Sequence, residues 1–138
     1  MEKKLPRGLR NNNPLNIKKG SSWIGERPIQ TDKTFEQFID IIFGLRAGFY
    51  LLRKYINVYG DNTIEKIIRR WAPPTENATT KYIDIVSRLT GIPARQEFRF
   101  ENAEILIAIV NEMCFVENGY NVQEELIRSA YWVVRVMG

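Results

Sequence analysis

Apolar residues recur every three or four positions along most of this chain, and glycine, asparagine and proline stand where that rhythm breaks. Between Ile41 and Tyr59 the apolar set is Ile42, Leu45, Phe49, Leu52 and Ile56, the spacing of one helix face. Gly60 follows where a C-cap glycine belongs. Asn62 or Thr63 suits the N-cap of a second helix carrying Ile64, Ile67, Ile68 and Trp71, which Pro73-Pro74 should end. A third helix is expected to start between Thr75 and Ala78, to carry Tyr82, Ile83, Val86 and Leu89, and to stop at Gly91 with Pro93 just beyond. Residues 92–101 read as loop. A fourth helix, from about Asn102 to Val116, is apolar on most sides (Ile105, Leu106, Ile107, Ile109, Val110, Met113, Cys114). Such a helix belongs at the centre of a fold, and Asn118-Gly119 stops it. A fifth, from about Val122 to Val136, presents Leu126, Ile127, Ala130, Trp132 and Val133.

The N-terminal part lacks this period. Residues 1–22 are polar and rich in Asn, Lys, Gly and Ser, so they read as loop. Gly25 and Pro28 punctuate the stretch from Trp23 onward, and the alternation Phe35-Glu36-Gln37-Phe38 suggests a short strand or hairpin. The pattern predicts one all-α, bundle-like domain over residues 1–138, with five helices and a small irregular or β-hairpin N-terminal lobe.

Composition narrows the chemistry. With 138 residues, 44% of them apolar and 26% charged, the chain is long enough to bury a core without covalent staples. Its one cysteine, Cys114, lies in the apolar run of the fourth helix and reads as a core residue. There is no histidine, which removes Ser-His-Asp triads, His-activated cysteines and most zinc sites. No metal or other cofactor is expected, and any general acid or base should be a carboxylate. The charged start, Met1 to Arg7, has no apolar segment after it, so a secretory leader is not expected there. No uncharged apolar stretch approaches the roughly 18 residues of a membrane span. The expectation is therefore a monomer made in the cytoplasm, which any substrate outside would oblige something else to deliver. A net charge of +4 suits polyanionic partners as well as a merely solubilising surface. Basic residues among aromatics at Arg46–Tyr59 and Lys66–Trp71 fall opposite core-spaced apolar positions, which fits a solvated helix face better than nucleic-acid binding.

Three constellations remain. Glu117 follows the longest apolar run, so its carboxyl is forced to the rim of the core. Desolvation there would raise its pKa, as a general acid requires; the alternative is a solvated acid at a helix C-terminus. Arg10-Asn11-Asn12-Asn13-Pro14-Leu15-Asn16 offers amide donors and acceptors suited to sugar hydroxyl and acetamido groups, or equally a turn-rich structural loop. Trp71, before Pro73-Pro74 and followed by Glu76, Asn77, Thr79 and Tyr82, offers an aromatic platform with polar neighbours; a helix-ending turn with Trp71 in the core is the competing reading.

Taken together, Arg7 to Ile17, Phe35…Phe38, Gly44-Leu45-Arg46-Ala47, Asn62-Thr63-Ile64, Trp71-Ala72-Pro73-Pro74, Glu76-Asn77, Tyr82 and Glu117-Asn118-Gly119 resemble a family of prophage and mobile-element proteins, often labelled virion or structural proteins. Two of these pieces are also similar to soluble lytic transglycosylases, in reversed order. Ile107 to Asn121 resembles their helix ending in a catalytic Glu, with Asn118 where Ser is usual, and residues 71–86 resemble the downstream segment lining their glycan groove. The resemblance implies a circularly permuted lysozyme-like fold acting on peptidoglycan. It casts Glu117 as catalytic acid for the β-1,4 bond between N-acetylmuramic acid and N-acetylglucosamine, with Asn11, Asn12, Asn13, Asn16, Trp71, Glu76, Asn77, Tyr82 and Asn118 as groove residues. A hydrolase would need a second carboxylate, for which Glu76, Asp32, Glu26 and Glu36 are candidates; a transglycosylase would not. The alternative is a non-catalytic component of a phage particle or secretion system that grips peptidoglycan or a partner.

Overall fold

Each long apolar stripe becomes a helix. The computed structural model describes residues 4–71 and 75–137 and contains six helices among them. They are α1 (Arg7–Arg10), α2 (Ile41–Asn57), α3 (Ile64–Trp71), α4 (Glu76–Thr90), α5 (Ala103–Asn118) and α6 (Glu124–Met137). Local signals set most ends. The Asp40 carboxylate accepts from the Ile42 N–H at 3.0 Å, Thr63 Oγ1 from Lys66 N–H at 3.1 Å and Thr75 Oγ1 from Ala78 N–H at 3.2 Å, each meeting a backbone donor that a helix start leaves unpaired. Gly91 and Gly119 take the left-handed conformation after α4 and α5. The expected end of α3 at Pro73-Pro74 lies outside the described residues.

α5 is the central rod. Leu106, Ile107, Ile109, Val110, Met113 and Cys114 are all buried on it, and α1, α4 and α6 pack around it. Each fully buried aliphatic side chain contributes about 1.5–3 kcal/mol, so this helix anchors the domain. α2 packs most extensively on α6, where Phe49, Phe100 and Tyr131 form an aromatic cluster. Cys114 is buried, and burial pushes its thiol up, as befits a core residue. No helix among the described residues is long and apolar enough to cross a membrane.

The structure corrects the N-terminal reading. Arg7–Arg10, inside the expected loop, is one helical turn started at Pro6, whose carbonyl accepts from Arg10 N–H at 2.9 Å; a single turn is too short to show a period. The expected strand or hairpin around Phe35–Phe38 is reduced to two isolated bridges, Lys18 with Phe35 and Glu26 with Phe38. α2 also ends two residues before the expected Tyr59.

Side-chain amides join a few scattered backbone bonds, such as Glu36 N–H to the Ile17 carbonyl at 2.9 Å and Phe38 N–H to the Asn11 carbonyl at 2.9 Å, in holding this lobe. Asn13, fully buried, donates to the carbonyls of Ile17 at 2.9 Å and Glu36 at 3.0 Å and accepts from Ile17 N–H at 2.9 Å. Asn12, in left-handed backbone at φ 52°, donates to the Phe38 carbonyl at 3.1 Å. Asn11 donates to Asp32 at 2.9 Å and accepts from Gln37 at 3.0 Å. These three amides are spent on architecture, because a lobe without regular strands needs other partners for its buried backbone groups.

Candidate functional site

The last turn of α5 carries Glu117 out of the core to where α4 and the Asn loop meet. Its Oε1 accepts from Asn16 Nδ2 at 2.8 Å and its Oε2 from the Tyr82 hydroxyl at 2.9 Å. Tyr82 is buried on the inner face of α4. Asn16 reaches the carboxyl from left-handed backbone at φ 52°, a conformation asparagine tolerates better than most residues. Burial pushes the Glu117 carboxyl above the ordinary carboxylate range, while the two donors pull it back down. Burial, with Glu117 beside it, drives the Tyr82 hydroxyl well above its usual pKa, so it stays a donor. Glu117 joins none of the ion pairs among the described residues.

This carboxyl faces open space. A cleft of about 440 Å³ is lined by Glu117, Tyr82, Asn16, Lys18, Trp71 and Lys81, with Phe35, Ile85 and Val116 as apolar wall. A second depression of about 420 Å³ shares Asn16, Lys18 and Trp71 with it and adds Trp23, Tyr55 and Arg70. Trp71 stands at the junction with its ring edge-on to Tyr55, the centroids 5.9 Å apart. The two depressions share this wall and together make a trench with aromatic rings in the lining of both parts and one desolvated carboxyl in the first. Such a trench can seat a chain of pyranose rings, whose apolar faces pack on aromatics.

The residues that the family resemblance casts in the site divide accordingly. Glu117, Asn16, Trp71 and Tyr82 come together in the cleft. Asn11, Asn12 and Asn13 are turned into the N-terminal lobe. Asn118 is buried, donating to the carbonyls of Pro14 at 2.7 Å and Cys114 at 2.9 Å, and so ties the end of α5 to the Asn loop. Gly8 makes that junction possible: a Cβ there would lie 2.5 Å from Asn118 Oδ1 and 2.8 Å from Asn16 Oδ1. Glu76 is exposed at the start of α4, paired with Arg69 at 3.1 Å. Asn77 does not line the cleft but lies with Thr80 and Asp84 in a neighbouring depression that shares Ala78 and Lys81 with it.

None of the four candidate second carboxylates lines the cleft. Glu76 is spoken for by Arg69. Asp32 is clamped by the Arg7 guanidinium through two bonds of 2.7 Å, which hold it well below the usual range. Glu26 and Glu36 are neighbours within the N-terminal lobe, and Glu36, 4% exposed, is pushed up to about 7 by burial and by that neighbour. Lys18, Lys81, Phe35 and Trp23 belong to the trench without having been singled out for it. For Lys81 a signal existed: Ala78, Lys81, Tyr82 and Ile85 lie on one face of α4 at helical spacing.

The chain matches no protein-family model. It is similar to protein P5 of Pseudoalteromonas phage PM2, with 46% identity over 132 residues that span 91% of this chain and 81% of that protein.

Proposed function

Since the chain belongs to the family of protein P5 of Pseudoalteromonas phage PM2, we propose that it is a phage-associated enzyme cleaving peptidoglycan glycan strands, with Glu117 as the sole acid–base residue. The observation that carries this reading is the Glu117 carboxyl: half-buried, gripped at both oxygens by neutral donors, and opening onto an aromatic-lined trench. A raised pKa keeps a carboxyl protonated closer to neutrality, which a general acid needs. Lys18 and Lys81 give the cleft a positive rim suited to the carboxylates of a muramyl strand. Delivery to the cell wall by a phage particle fits the family.

Lytic transglycosylation is favoured over hydrolysis because Glu117 is the only carboxylate among the described residues lining the cleft. Glu117 gives its proton to the glycosidic oxygen, and the bond from that oxygen to C1 of N-acetylmuramic acid breaks. The muramyl C6 hydroxyl then closes onto C1 and returns its proton to the Glu117 carboxylate. Atoms balance, no water is consumed, and the acid is restored. The Asn16 and Tyr82 donors stabilise the carboxylate in the interval, when it carries charge.

Turbidity clearing of purified sacculi tests the assignment. Glu117→Gln keeps the size and most of the hydrogen bonding of the side chain but cannot supply a proton, so clearing should fall by about 10²-fold or more with the helical circular dichroism intact. A folded variant that clears sacculi at the wild-type rate would overturn it. A wild-type chain that binds sacculi without releasing soluble fragments would instead mark a gripping module.

A further inference from the structure

The net charge of +4 is not spread evenly over the molecule. On the N-terminal lobe, a depression of about 610 Å³ is lined by Arg7, Arg10, Arg27 and Lys33, and Asp32 is the one acid among its lining residues. Asp32 is held ionised by the Arg7 guanidinium, so four cations against one carboxylate leave a local excess of three positive charges. The depression shares no lining residue with the trench, and the chemistry assigned to Glu117 makes no use of it.

Its lining belongs to the framework of the lobe. Asn11 and Gln37, both buried, bond to each other at 3.0 Å. Asp32 accepts from the N–H groups of Thr34 and Phe35 at 2.9 Å each, which fixes the turn that carries Lys33. The same carboxylate takes two bonds from Arg7, whose guanidinium also lies 4.7 Å from the centre of the Phe35 ring. Arg27 donates to the carbonyls of Phe38 at 2.9 Å and Arg10 at 2.7 Å. A guanidinium carries five N–H donors. Arg7 and Arg27 each spend two on these bonds, so each keeps three on a fork already held in place. Arg10 and Lys33 are exposed, and neither side chain bonds to a described residue. Like charges gathered round one depression repel one another, and no bond of Arg10 or Lys33 offsets that.

We propose that this depression binds a multiply charged phosphate group, a phosphomonoester or a pyrophosphate. A carboxylate would answer one of the three excess charges. A phosphate group answers more of them and presents more oxygens to the arginine forks, which meet such oxygens through paired N–H···O bonds. Lys33 and the Thr34 hydroxyl add further donors. The group can arrive as a free anion or on a lipid headgroup, and the site is independent of the glycan-strand reading.

Calorimetric titration of inorganic pyrophosphate into the full chain at fixed ionic strength tests the free anion. Sedimentation with phosphatidylcholine vesicles, with and without phosphatidic acid, tests the headgroup. In whichever arm binds, binding should be saturable, and sulfate should bind or compete about tenfold more weakly or worse. Arg10→Gln should weaken binding by about tenfold with an unchanged melting curve, and Arg10→Lys should restore part of it. Lys33→Gln repeats the test from a different loop. Lys66→Gln removes one charge from an exposed position on α3 and should change the affinity by no more than about twofold, because distant surface charges are screened. Binding to free pyrophosphate supports the site with a soluble ligand; binding only to vesicles with phosphatidic acid supports it with the headgroup as source. Binding in neither arm would overturn the proposal. So would sulfate binding as well as phosphate, or Arg10→Gln and Lys33→Gln weakening binding no more than Lys66→Gln, either of which would leave the four cations as a solubilising surface. The comparison with sulfate uses the wild-type chain and stands whatever the variants do.

Discussion

Glu117 owes its chemistry to three other parts of the chain. α5 drives it to the edge of the core, and Tyr82 and Asn16 each fill one of its oxygens. Since a hydrogen bond to a charged group contributes about 1.5–3 kcal/mol and 1.36 kcal/mol corresponds to one pKa unit, deleting the Tyr82 hydroxyl has a readable consequence. Tyr82→Phe should move the alkaline limb of the pH–activity profile upward by about one to two pH units, because the carboxylate loses a donor that holds its pKa down. A limb that stays in place or moves downward would show that Tyr82 does not act through Glu117. The placement of Glu117 at the edge of the core was legible in the sequence because a lone acid after a long apolar run has few places to go. Asn118 and Asn13 were not, because an asparagine facing inward to meet backbone groups looks the same in sequence as one facing a sugar.

At the scale of elements, the helices were legible and the N-terminal lobe was not. Periodic burial writes itself into α2 through α6, whereas residues 11–40 are held by scattered backbone bonds and by side-chain amides, neither of which leaves a period. Asn13 is the test of that account. Asn13→Ala strands the Glu36 carbonyl and the Ile17 N–H, while the Ile17 carbonyl keeps its bond from Glu36 N–H, and should cost about 2 kcal/mol or more. By contrast, Asn77→Ala, at an exposed residue, should stay within about 0.5 kcal/mol. Urea denaturation of both variants gives the comparison, and similar costs would refute an architectural Asn13. The Glu26–Glu36 pair adds a pH dependence to the same lobe. Glu36 is raised in the folded chain from 4.5 to about 7, so folding binds its proton. The stability it contributes is complete below about pH 4.5 and is lost as pH rises through about 7. Glu36→Gln should flatten the fall in denaturation midpoint across that window; a slope identical to that of the wild type would remove the pair as its source.

For the whole molecule, the relevant product of folding is the trench. It is assembled from segments far apart in the chain: Asn16 and Lys18 from the N-terminal lobe, Tyr55 from α2, Trp71 from α3, Tyr82 from α4 and Glu117 from α5. No local pattern encodes such a convergence, which is why Trp23, Lys18 and Phe35 emerged only from the fold. The central claim is that this trench cuts glycan strands with Glu117 alone. The most direct measurement is mass analysis of muropeptides released from purified sacculi in heavy-oxygen water. Fragments should end in 1,6-anhydromuramic acid with no heavy oxygen at the new end, and Glu117→Gln should release none. Reducing ends that carry the label would contradict the single-carboxyl route, and release undiminished in Glu117→Gln would contradict the claim itself.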